Sequence, residues 1–479
     1  MRDSKNKLKS ILALSVVVLM VSCSAPKVVP QEANDNLPNN FSNQYASDEN
    51  NLADTDWRTY FGDEKLAALI DTALQNNQEL NIVMQELLIG QNEVLEKSGE
   101  YLPFVNVGAG VSGEKTPRFT REGAVEHNLE VDEGREFPEP LGDFQFGATA
   151  SWEVDIWRKL RNAKDATQLR YLAATEGRNF LVSNLISEIS ENYYELMALD
   201  NLLQIINENA AIQQDALDKV RIQKTNAQAN QLVVNRFAAL LLNTQNLQYN
   251  IKQKIVEAEN RIHFLVGQYS SDVDRNATGF MTMPIDDIQA GVPAQLLQNR
   301  PDIRQAEYNL QASNIDIKVA RADFFPRLDI TAGVGFKAFN PSFLLDPESI
   351  LVNLVGDLTA PLLNKRAIKA RYNMSTAMQV QSVIQYEQTV LQAYTDVLNQ
   401  LSKLDNFSNS LDTKQKEVDL LTESVDIANS LFQYAKADYV EVLLTQQEVL
   451  DAKMELVETK LQQLQAKVQI YRALGGGWK

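Results

Sequence analysis

Apolar positions recur along this chain with two periods, and each period appears twice. Around 104–113, Val105, Val107, Ala109 and Val111 alternate with Asn106, Gly108, Gly110 and Ser112. Around 143–154, Phe144, Phe146, Ala148, Ala150, Trp152 and Val154 alternate with Gln145, Gly147, Thr149, Ser151 and Glu153. The second half repeats this over about 328–339, where Leu328, Ile330, Ala332, Val334 and Phe336 alternate with Asp329, Thr331, Gly333, Gly335 and Lys337. A fourth strand over about 350–360 alternates poorly. Period two predicts strands with one dry and one wet face. Strands of about ten residues with aromatics near their ends fit a membrane β-barrel, and an ordinary soluble sandwich of four strands fits the alternation as well. Four strands cannot close a barrel, because the smallest have about eight and open edges are not tolerated in lipid. Membrane-spanning strands here therefore require an oligomer.

The other period is seven. Val182, Ile189, Leu196, Leu203, Ala210 and Leu217 recur in a stretch without proline over about 157–224. Leu185, Asn192, Leu199, Ile206 and Val220 supply most of the second heptad position. In the second half, Val383, Val390, Val397, Leu404, Leu411, Val418, Val425 and Phe432 hold the period over about 364–432. Such runs predict left-handed coiled-coil packing. Each helix would be about 100 Å long at about 1.5 Å per residue, beyond any globular need. The helices should reverse at 225–230 and 433–438. Asn230 and Asp438 suit the N-cap of the returning helices, because their side-chain oxygens can accept a free backbone N–H. Gly475, Gly476 and Gly477 should stop the last helix.

The two halves are versions of one unit. Residues 76–111 align without a gap on 299–334, each passing from a helical pattern through an aromatic-X-Pro element into a strand. Asn226-Ala227-Gln228-Ala229-Asn230 matches Tyr434-Ala435-Lys436-Ala437-Asp438. We read 56–291 and 292–479 as tandem structural repeats. The fold class is α+β, with long coiled-coil helices in a duplicated unit that also supplies four β-strands.

The N-terminus carries a different pattern. Arg2, Lys5, Lys7 and Lys9 precede an apolar stretch over 11–21, then Ser22 and Cys23. This has the layout of a secretory signal over 1–22 and is too short to span a membrane. Cys23 is the only cysteine, so no intrachain disulfide can form. Its place predicts diacylation after cleavage, with the acyl chains holding the protein to lipid. Residues 23–55 read as a lipidated N-terminal spacer, of which about 24–50, rich in Asn, Pro, Ser and Gln, should be flexible and without a packed core.

Composition narrows function mainly by exclusion. A net charge of −18 disfavours nucleic acid as a partner. Of the two histidines, His127 lies in a charged loop over 116–142 and His263 in a helix. No Cys/His metal spacing, phosphate loop or dinucleotide fingerprint appears. Neither a cofactor nor a metal is expected, and an enzyme is disfavoured.

Four segments resemble the TolC-like outer membrane factor family, specifically the lipoprotein branch that serves resistance-nodulation-division efflux pumps. Trp57, Phe61-Gly62-Asp63, Leu66, Leu69-Ile70, Ala73-Leu74 and Asn77 resemble its opening motif. Trp152-Glu153-Val154-Asp155-Ile156-Trp157 resembles its strand-to-helix junction. Arg300-Pro301-Asp302-Ile303, with Ala306-Glu307, resembles the start of its second repeat. Ala473-Leu474-Gly475-Gly476-Gly477-Trp478 resembles its closing signature. The resemblance implies a lipid-anchored homotrimer in the outer membrane, with one twelve-stranded β-barrel above a periplasmic α-barrel. It implies an exit duct for small molecules such as drugs or metal ions, partnered by a periplasmic adaptor and, through it, an inner membrane transporter. Adaptor docking would map to Ala227, Gln228, Ala435 and Lys436. The periplasmic aperture would map to Asn230, Asp438, Glu441 and Leu444, with Glu441 in an acidic ring. The sequence departs from the family at Ala227 and Ala435, where glycine is usual, at Arg158, also commonly glycine, and at Leu444, acidic in some members. Two other functions fit parts of the pattern: an exit duct for type I protein secretion, or a pore-less periplasmic coiled-coil scaffold.

Overall fold

The computed structural model describes residues 25–34, 36–41, 51–132, 134–269, 272–285, 290–361, 363, 365–434 and 436–479. Cys23, the signal stretch and Ala435 lie outside the described residues. The first half contains α1 (Trp57–Phe61), α2 (Glu64–Asn76), α3 (Gln78–Glu100) and β1 (Phe104–Glu114). Then come α4 (Arg121–Asn128), β2 (Glu130–Asp132), β3 (Arg135–Glu136), β4 (Leu141–Val154), α5 (Lys159–Thr225) and α6 (Gln231–Val266). The second half contains α7 (Leu296–Asn299), α8 (Pro301–Ala322), β5 (Arg327–Ala338), β6 (Ile350–Thr359), α9 (Lys365–Gln433) and α10 (Tyr439–Ala473). The order helix, strand, strand, very long helix, helix thus occurs twice. No described helix is long and apolar enough to cross a membrane.

Two compact units form, and each draws on both halves of the chain. The first comprises Met1–Glu32, Ile89–Tyr171 and Tyr308–Val383. The second comprises Ala33–Leu88, Leu172–Glu307 and Ile384–Lys479.

The first unit is built on an antiparallel sheet in the order β1-β4-β5-β6. Its register collects the alternating residues onto two faces. Val107, Ala148, Val334 and Val352 form one row, and Val105, Ala150, Ala332 and Leu354 the next. Phe146 and Phe336 stack on this face with centroids 5.1 Å apart. No charged residue joins it. The opposite face carries Asn106, Thr149, Gly333 and Asn353 as a row, with ion pairs Lys337–Asp143 at 2.8 Å and Arg327–Glu153 at 3.3 Å. Strand β6 alternates poorly because Leu351 and Val355 sit on this polar face. Leu351 lies opposite Gly335, which leaves it room. Gly335 in turn pairs with Gly147, and a Cβ on either would come within 2.6 Å of a backbone oxygen of the neighbouring strand. Only glycine permits that approach, and such positions let a sheet bend tightly.

The strand-to-helix junction explains why its residues occur together. Asp155 accepts from the N–H groups of Leu160 and Arg161, both at 3.0 Å, and so caps α5. Trp152 donates its indole N–H to the Tyr101 carbonyl, and Trp157 donates to that of Pro326. The two tryptophans thus fasten the two aromatic-X-Pro elements. The Trp157 ring also stacks on Phe325 at 4.4 Å.

In the second unit the heptad stripes become the core. Ile189, Leu196, Leu217, Val397 and Leu404 are buried, as are Ile206 and Val220. The closing signature docks on the start of the second repeat. Arg300 Nη1 donates to the Ala473 carbonyl at 3.1 Å, and Trp478 donates to that of Asn299 at 3.0 Å. Ser183 Oγ donates to the Gly476 carbonyl at 2.7 Å. Of the opening motif, Asp63 caps α2 and accepts from the Tyr193 hydroxyl at 3.0 Å.

Two expectations are corrected. The loop over 116–142 contains α4, capped by Thr120, and the small β2–β3 pair. The spacer is not free chain where it is described. In the first unit, Gln379 makes two hydrogen bonds to the backbone of Gln31, and the Tyr372 hydroxyl donates to the Lys27 carbonyl. In the second unit, Phe41 is buried and stacks on Tyr394. The backbone polar groups find side-chain partners and an aromatic ring finds cover, so the segment is held.

Candidate functional site

The two helical turns singled out from the sequence lie in the second unit and share one hydrogen-bond geometry. After α5, the Gln228 N–H donates to the Gln223 carbonyl at 2.9 Å and the Ala227 N–H to that of Lys224 at 3.0 Å. This is a Schellman closure, which needs a left-handed residue at its centre. Ala227 supplies it with φ = +60°. After α9, the Lys436 N–H donates to the Leu431 carbonyl at 2.9 Å, the same six-to-one bond. Arg158, at the start of α5, has φ = +56°. Among the described residues Ala227 and Arg158 are the non-glycine positions in the left-handed region. Both are places where the resembling family usually has glycine.

The returning helices start differently. Asn230 accepts from the Val233 N–H at 3.2 Å, as expected of an N-cap. Asp438 stands at the cap position of α10 in extended backbone, but its side chain makes no capping bond. The reason is local: the Glu441 N–H, which the carboxylate would take, already donates to the Asp438 main-chain carbonyl at 3.2 Å. The expectation that Asp438 caps through its side chain is therefore corrected.

Below the turns, Val220, Val233, Phe237, Ala428 and Val442 form a small apolar core joining α5, α6, α9 and α10. It fixes where the exposed residues stand. Ala227, Gln228, Lys436, Asp438 and Glu441 are all exposed. Leu444, one turn along α10 from Glu441, is exposed at 54%. Val442 anchors this helix inward, so Glu441 and Leu444 share its open side. Sequence reasoning placed both turns within a residue or two. It missed the buried polar side chains deeper in these helices, Gln213, Thr244 and Gln446, whose signal is a polar residue at a position the apolar stripe should occupy.

No group of three or more potential metal-ligating side chains occurs among the described residues. What the geometry offers is surfaces: a sheet with a charge-free apolar face, and a pair of exposed turns with an acidic residue beside them.

Comparison with known proteins agrees with this geometry. Residues 69–268 and 292–476 match the family model described as outer membrane efflux protein. The chain is 26% identical over 381 residues to the cation efflux system protein CusC of Escherichia coli O6:H1, covering 79% of each. It is 25% identical over 386 residues to the probable outer membrane lipoprotein SilC of Salmonella typhimurium, covering 80% of each. It is 25% identical over 381 residues to the outer membrane protein OprJ of Pseudomonas aeruginosa, covering 78% of this chain and 76% of that one. A crystal structure of CusC superimposes with a TM-score of 0.82 at 23% identity, over 95% of this chain and all of the other. The open-state MtrE outer membrane channel of Neisseria gonorrhoeae gives 0.82 at 20% identity, over 95% and 98%.

Proposed function

From the premise that this chain belongs to the outer membrane efflux protein family, we propose that it is the passive exit duct of a tripartite efflux pump. The observation that carries the reading is the sheet. Its four strands put one charge-free apolar face on one side and paired charges on the other, and β1 and β6 each have an unpaired edge. Unpaired edges are not stable in lipid. Three copies, joined β6 to β1, give twelve strands and a closed outer membrane barrel with a wet lumen. The long helices are read as the staves of a periplasmic tunnel. The two halves, 56–291 and 292–479, supply equivalent staves within each copy.

Cys23 is read as the lipidated residue, and the held segments 25–34 and 36–41 as its tether. The exposed turns at Ala227, Gln228, Ala435 and Lys436 are read as the surface the periplasmic adaptor grips. Through that adaptor the duct meets an inner membrane resistance-nodulation-division transporter. Asn230, Asp438, Glu441 and Leu444 are read as the rim of the aperture. No covalent step is assigned to the chain; cargo moves down a gradient the transporter sets. Relatives are named for cation efflux and for toluene efflux. The cargo here is accordingly small molecules or metal ions, with selection made upstream of a wide channel. The same names favour efflux over protein secretion.

The adaptor assignment is tested by photo-crosslinking residues placed at 228 and 436 in cells carrying the whole pump. Adducts with the adaptor are expected from both positions. Adducts only from a position on β4, such as 149, would contradict the docking surface.

A further inference from the structure

Apolar cores lie along the helices of the second unit: a large one that includes α5, α6 and α10, a small one near the turns, and a third joining α9 and α10 through Val418, Ala452 and Leu456. Buried polar side chains lie at or just past the border between the large and the small core. On α6, Ile251 belongs to the larger core and Leu241 to the small one near the turns. Thr244 stands between them at 1% exposure. On α10, Leu450 belongs to the larger core and Val442 to the small one, with Gln446 between at 3%. On α5 the boundary falls after Ile206, and Gln213 follows within the small core's span at 1%. Each polar residue sits on the stripe its neighbours bury.

These side chains are not paired in this packing. Neither amide atom of Gln213, neither of Gln446, nor the hydroxyl of Thr244 has a hydrogen-bond partner among the described residues. The contrast with nearby threonines is informative. Thr422 and Thr445 donate to the carbonyl four residues back, at 2.6 and 2.7 Å. Thr244 does not. A buried polar group without a partner weakens the packing around it. In coiled coils a polar core residue fixes register at a cost in stability.

We propose that Gln213, Thr244 and Gln446 form a release layer, at which the tip moves on the rest of the second unit. The tip here means the turns at 226–230 and 434–438 with the helix ends that carry them. Below the layer, α5, α6 and α10 are held by the large core, and α9 meets α10 through Val418, Ala452 and Leu456. Toward the turns the small core joins all four helices, reaching on α5 from Ala210 to Val220. Motion of the tip as one piece would change the aperture while the larger core stays packed. This role rests on the reading of the chain as a duct.

The test is hydrogen exchange on the full-length trimer in lipid nanodiscs, read by mass spectrometry, with single-channel recording in planar bilayers alongside. Gln446→Leu and Gln213→Leu should each slow exchange about tenfold over 217–241 and 428–442, equivalent to about 1.4 kcal/mol. Exchange over 185–199 should not change, and openings should become rarer. Thr244→Val, which removes only the hydroxyl function, carries the same test if a leucine variant fails to assemble. Unchanged or faster tip exchange at normal trimer yield overturns the proposal. So does slowing that extends equally to 185–199, or slower tip exchange with unaltered openings. A wild-type trimer that never conducts defeats the duct reading instead, and the exchange data alone then judge the layer.

Discussion

Ala227 holds a left-handed conformation that costs an L-residue about 1–2 kcal/mol. Glycine would remove that strain but add about 0.4–1 kcal/mol of unfolded-state entropy. Ala227→Gly should therefore stabilise the trimer modestly, by about 0.5 kcal/mol, while Ala227→Val should destabilise it, both read by thermal melting. Glu441 offers a functional counterpart. Three copies of Glu441 ringing the aperture, as proposed, would favour cations there. Glu441→Gln should lower cation preference in reversal-potential measurements; an unchanged preference at normal yield removes Glu441 from the rim. Glu191 gives a pH-dependent case. Burial first, partly offset by the hydrogen bond from Gln469, raises its carboxyl above the ordinary glutamate value. A raised folded pKa contributes stability below about pH 4.3, the ordinary value, and loses it as pH rises through the raised one. Glu191→Gln should then raise the melting midpoint at pH 8 and leave it unchanged at pH 4. At this scale the sequence was only partly legible. Asn230 caps as its residue type suggests, but Asp438 does not, because whether the Glu441 N–H is already taken depends on the turn's own geometry.

Elements were more legible than residues, since period two and period seven are written in local sequence. Strand β4 and helix α5 fall within a few residues of their expected bounds. Strand β6 was harder, because Leu351 fits its polar face only through Gly335 on the neighbouring strand. The held spacer was illegible for a related reason: Gln31 is held by Gln379, 348 residues away. The facing of β4 can be tested directly. Ala148 lies in the apolar row and Thr149 on the polar side. Ala148→Arg should sharply reduce trimer yield, since a cation facing lipid costs about 2–4 kcal/mol at the bilayer midplane. Thr149→Arg should assemble. Equal yields in quantified, unheated gels would reverse the assigned faces.

For the whole molecule, the sheet with two unpaired edges and the paired helical turns make sense together only if the chain closes with copies of itself. The sequence suggested this through arithmetic, four strands against the eight or so a closed barrel needs. What it could not show was which residues stand side by side across strands, because that follows from register between segments nearly two hundred residues apart, such as Ala148 opposite Val334. The central claim is a water-filled channel made by the trimer. Single-channel conductance of the purified full-length protein in a planar bilayer tests it most directly. The account predicts discrete, cation-preferring steps that appear with the trimer and diminish in the Ala148→Arg preparation. A well-assembled wild-type trimer that inserts and yet passes no current would contradict it.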